Sequence, residues 1–62
     1  MKYAVIYKYD TNCGIAIYNL QKEINEYIEK GWIPQGGISI AMGVTNYENK
    51  KYVVTQAMIK NV

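Results

Sequence analysis

Histidine, arginine and phenylalanine are missing from this 62-residue chain, and cysteine, proline and tryptophan occur once each. Without histidine there is no side chain whose ordinary pKa lies near neutrality, and the commonest metal ligand is gone. A lone Cys13 cannot close an intramolecular disulfide, and with neither histidine nor a second cysteine one chain cannot complete a zinc site. Cys13 also lacks a base to activate it as a nucleophile. The absence of arginine removes the bidentate contacts by which proteins read bases and clamp phosphates, so a nucleic-acid partner is not expected. The acidic residues are five: Glu23, Glu26 and Glu29 step along one side of a helical pattern as solvated surface charge, and only Asp10 and Glu48 stand elsewhere. No catalytic residue, metal ligand or cofactor is therefore assigned, and a non-enzymatic role is expected.

Long apolar runs are also lacking. None approaches the length of about 18 residues that a membrane helix needs, and Met1-Lys2-Tyr3 leads directly into an alternating strand pattern, unlike a signal peptide. A cytoplasmic, reducing setting with no membrane contact is expected. Seven lysines against five acids leave a net charge of +2, dispersed along the chain, which favours solubility and names no partner. Isoleucine, asparagine, lysine and tyrosine make up 29 of 62 residues, all with AT-rich codons, which suits a bacterium or its phage.

What is present is period. From Lys2 to Tyr9, Tyr3, Val5, Tyr7 and Tyr9 alternate with Ala4, Ile6 and Lys8, a strand pattern rich in aromatic and β-branched residues. Asp10 to Gly14 carries turn chemistry. Ile17, Leu20, Ile24, Tyr27 and Ile28 recur at spacings of three and four, which predicts an amphipathic helix over 17–30 with Asn19 as a candidate N-cap, a Glu26–Lys30 ion pair and Gly31 as the C-terminal cap. Asn25 lies at the margin of that stripe. Ile38, Ile40 and Met42 define a second strand opened by Pro34-Gln35-Gly36-Gly37, with Pro34 expected at its edge or entry because it cannot donate to a ladder; residues 43–50 form a polar turn, and Lys51 to Lys60 a third strand. In the third, Tyr52, Val54, Gln56 and Met58 share one side.

Residues 1–62 thus form a single small α+β domain of order β-α-β-β, a three-stranded sheet with one helix on one face. The first two strands are expected parallel, with the third inserted antiparallel between them. A chain this short buries only about 60% of its unfolded surface. One helix covers one sheet face, and neither alternation set of the strands is charged, so a face rich in Ile, Val, Met and Tyr is left facing water. A patch of that kind implies an interface, and self-association as a homodimer or larger is expected.

The junction Gly31-Trp32-Ile33-Pro34-Gln35-Gly36-Gly37 holds the only tryptophan, the only proline and three of five glycines. Together with Ile24-Asn25 in the helix and Gln56-Ala57-Met58 in the last strand, it resembles a family of small bacterial and phage proteins grouped only as a domain of unknown function. Its members share a helix ending in Gly-Trp, then Pro-x-Gly-Gly, then a closing strand with Gln-Ala-Met. The resemblance runs over residues 2–60 and implies the fold; that family carries no established activity, so it implies no reaction.

Trp32, Pro34, Gln35, Gly36 and Gly37 are candidate ligand-binding residues, since an aromatic face can stack on a planar ring while loop N–H groups meet a phosphate. The alternative places Trp32 in the core beneath the helix end. Lys50, Lys51 and Tyr52, with Tyr47, form the one basic-aromatic cluster, either an anion contact or a solvated hairpin tip. Gln56 on an apolar strand needs partners for its amide from backbone or ligand, with a bond across a subunit interface favoured over the edge of a bound base. The expectation is a homo-oligomer that binds or sequesters a nucleotide-type anion at a subunit boundary. The alternative is a homo-oligomeric protein-interaction module with no small ligand.

Overall fold

The computed structural model describes residues 1–44 and 50–61, without the side chains of residues 43, 44 and 50. Four elements follow in order: β1 (Lys2–Asp10), α1 (Cys13–Glu29), β2 (Ile33–Val44) and β3 (Lys50–Lys60). β3 is the central strand and runs antiparallel to both neighbours, giving the sheet order β1-β3-β2. This is the α+β architecture expected, with β1 and β2 parallel to each other and never paired. The polar turn expected at 43–50 falls largely outside the described residues.

The helix begins earlier than its apolar period suggests. Asn12, not Asn19, is the N-cap: its backbone is extended at φ −108° and its side-chain Oδ1 accepts the Ile15 N–H at 3.1 Å. Asn12 is prepared in turn by Asp10, whose carboxylate accepts the Asn12 N–H at 2.9 Å. The residues that looked like a plain turn are an Asx-type lead into a helix, which uses the same side-chain chemistry. At the other end Gly31 takes φ +93°, the Gly31 N–H donates to Ile28 and the Trp32 N–H donates to Tyr27, each at 3.0 Å. These are the two bonds of a Schellman cap, and Trp32 completes it by packing edge-on against Tyr27 with ring centroids 5.6 Å apart. The expected Glu26–Lys30 pair is replaced: among the described residues the ion pair is Lys8 Nζ to Glu23, at 3.2 Å.

α1 lies mainly over β1 and β3. It presses Ala16 and Leu20 onto Ile6, Val54 and Met58, and Ile17, Ile24, Tyr27 and Trp32 close the margin of this core. β2 starts at Ile33, several residues before the alternation of Ile38, Ile40 and Met42 announces it. Pro34 lies at the entry of this edge strand, as expected of a residue that cannot donate to a ladder, and its missing N–H can face outward. The ladder is interrupted between Gln35 and Ser39, where four steps along β2 match two along β3. Gly36 sits in this bulge at φ +74°, in the left-handed region that only glycine enters freely.

Candidate functional site

Trp32 occupies the corner where helix, Schellman cap and β2 meet. It is half-buried, with Tyr27 against its edge and the Lys60 ammonium 6.0 Å from its ring centroid. The ring is therefore part core and part surface, so its packing on the core leaves one side exposed. Lys60 is directly opposite Lys2 across the β1–β3 ladder. One end of the sheet thus carries an indole face and two neighbouring lysines.

Pro34, Gln35, Gly36 and Gly37 follow along the exposed outer strand. A side chain built on Gly36 or Gly37 would meet nothing within 4 Å, so the pair does not serve close approach of other chain atoms; positive φ alone requires Gly36. Of the partners open to the Gln56 amide, the backbone supplies three: the residue is only 5% exposed and its Nε2 points at the carbonyls of Gly36 (3.1 Å), Gln35 (3.3 Å) and Ala57 (2.9 Å). With two hydrogens for three acceptors, one bond is shared. Gln56 is the internal brace of the bulge, satisfying carbonyls that the broken ladder releases.

The basic-aromatic cluster lies at the opposite end. Lys51 places its ammonium 4.9 Å from the centroid of the Tyr9 ring, on the face away from the helix, whereas Tyr52 turns to the helix side opposite Met42. Lys50 pairs with Val44 at the ladder's end, and its side chain, like Tyr47, lies outside the described residues. Ile33 stands opposite Ile59 and Gly43 opposite Lys51, so eight residues of β3 separate the two ends. At about 3.4 Å per residue that is roughly 27 Å. Within one chain, Trp32 and Lys51 cannot grip the same mononucleotide.

Two further surfaces emerge. The face away from α1 shows Tyr3, Val5, Tyr7 and Tyr9 from β1, each 57–64% exposed, beside Val53, Thr55, Ala57 and Ile59 of β3 and Ile33 and Ala41 of β2. Lys51 is the one charged residue of this face among those described. On the helix side, α1 stops short of β2 and leaves Ile40 and Met42 about half exposed. An open groove of about 410 Å³ runs along the outer edge of β1, between the strand from Val5 to Tyr9 and Glu23 and Tyr27 of the helix. Among the described residues no group of three or more potential metal-binding side chains occurs, and no helix is long and apolar enough to cross a membrane. No family model, curated protein or solved structure matches this chain.

Proposed function

We propose that this chain is a non-enzymatic, self-associating protein-interaction module working in the cytoplasm. The observation that carries this reading is the uncovered tyrosine-rich sheet face. Nine residues of strand by three strands make a projected area of about 400 Å², the size of patch that on a small monomer is usually functional. Tyrosine is enriched in the cores of interfaces because one ring supplies a large apolar area and a polar tip. The helix-side core is small, so burial between subunits adds the apolar contact that a single copy lacks. Light scattering coupled to size exclusion tests the reading: a mass of at least twice 7.1 kDa is expected at micromolar concentration. A monomer there contradicts it.

A second reading is favoured by one specific geometry, the Lys60 ammonium over the half-buried Trp32 ring with Lys2 alongside. An aromatic face next to paired positive charge suits a planar anion of nucleotide type, held without turnover. Pro34, Gln35, Gly36 and Gly37 would border it on β2. Lys51 and Tyr52 could join only from another subunit. Mass spectrometry of the filtrate from denatured protein, with Trp32 fluorescence titrated by mononucleotides, cyclic dinucleotides and flavins, tests this. A ligand recovered unaltered supports it; an empty filtrate and a silent indole in an intact oligomer leave the interaction module.

A further inference from the structure

We propose that two copies of this chain join through the outer edges of β1, antiparallel about a twofold axis at Ile6, into one continuous six-stranded sheet. The proposal rests on the self-association reading above and adds an edge contact to it: pairing here lengthens the tyrosine-rich face and leaves it open to a further copy. β1 is a nine-residue edge strand without proline, glycine or bulge, so its outward N–H and C=O groups form an unbroken row. The open groove beside it leaves that row accessible.

The strand is self-complementary in one register. With Ile6 opposite its mate, all nine residues pair, and Lys2 falls opposite Asp10 of the second copy at both ends. On the open face Tyr3 meets the second copy's Tyr9 and Val5 meets its Tyr7, aromatic and β-branched pairs that stabilise cross-strand contacts. Sliding two residues one way sets Lys2 against Lys8. Sliding two the other way drops Lys2 and Tyr3 from the ladder and places Asp10 against Ala4. A one-residue slip would send the side chains to opposite faces.

Charge within one chain points the same way. Lys2 and Lys60 are directly opposite in the β1–β3 ladder, a like-charge pair that costs stability by itself. Among the described residues no carboxylate forms an ion pair with either. In the proposed register the second copy's Asp10 arrives beside Lys2 and relieves that repulsion. The helices also fit. A helix centred over β1 and β3 lies about 5 Å from the axis, so the two copies of α1 would run antiparallel about 10 Å apart, close to normal helix packing.

The test is a charge swap between copies. Lys2 and Asp10 are at opposite ends of β1 and cannot meet within one chain. Lys2→Glu makes both end pairs acid against acid, and Asp10→Lys makes both base against base, so each variant alone should dimerise about tenfold more weakly in sedimentation velocity at low salt. An equimolar mixture of the two variants restores an opposite-charge pair at both ends and should recover wild-type affinity as a heterodimer. Circular dichroism checks that each variant is folded. Dimers indifferent to both single changes, or a mixture no tighter than its parts, would overturn the β1 seam while leaving self-association standing. A wild-type monomer would overturn both.

Discussion

The two edges of this sheet are built on opposite principles. β2 carries Pro34 and a bulge at Gly36, two devices that break the regular row of hydrogen-bonding groups, and Gln56 of β3 satisfies the carbonyls the bulge frees. β1 has none of them; its nine residues run unbroken, with Lys8 pulled onto the helix by Glu23. Edge strands invite pairing unless something blunts them. A chain that blunts one edge at the cost of a buried glutamine and a left-handed glycine, and leaves the other plain, has one edge free for a partner. The difference also explains why Gln56 is buried on an otherwise apolar strand: its amide serves the bulge.

The comparison can be broken at several points. The largest effect should come from what both edges depend on. Met58 and Val54 lie fully buried under α1, so Met58→Lys should abolish folding, and Leu20→Ala should cost about 2–5 kcal/mol in denaturant unfolding. Next is the blunted edge. Gln56→Leu strips the bulge carbonyls of their donor and should cost about 1–3 kcal/mol. Gly36→Val should cost a similar amount through backbone strain, with Gly36→Asn milder because asparagine tolerates the left-handed region. Gly37→Ala, with ordinary φ and open space, should leave the melting temperature nearly unchanged. If Gly37→Ala were the more damaging, the bulge would be assigned to the wrong glycine.

Tyr7→Lys should act differently from all of these. Tyr7 is exposed in the single chain, so its replacement should change unfolding in the monomer by under about 1 kcal/mol while weakening self-association by tenfold or more in light scattering. Loss of the fold instead would mean that the face is needed within one copy. A small effect is also expected of Lys60→Met, which removes the ammonium near Trp32. A modest shift in indole emission and little change in stability are expected, because the contact is long and partly solvated.

Strand alternation was legible because β1 and β3 each divide cleanly between a helix side and an open side, and the helix end was legible because Gly31-Trp32 matches a cap that needs both a left-handed residue and an apolar follower. The helix start was hidden. Asn12 promotes turns and caps with the same side-chain oxygen, and Cys13-Gly14 carries no amphipathic signal. The start of β2 was hidden for a related reason, since Pro34 and Gly36-Gly37 mean a loop everywhere except on an edge strand with a bulge. Of the candidate site, the exposed Pro34-Gln35-Gly36-Gly37 stretch and the Lys51 cluster lie where a strand model would put them, but their separation along β3 needed the register. So did the Lys60–Trp32 and Lys2–Lys60 neighbours, which sequence distance conceals. That Gln56 needs partners was legible, but not which, because two of its three acceptors lie about 20 residues away and exist only once the ladder breaks.

Amide hydrogen exchange followed residue by residue reports on both edges at once, on the pairing of β1 and on the blunting of β2. At high protein concentration, every second amide of β1, those pointing away from β3, should be protected, and dilution to the monomer should release that protection while the outward amides of β2 exchange fast throughout. Fast exchange of outward β1 amides at concentrations where the protein is an oligomer, or concentration-dependent protection along β2 instead, would contradict the account.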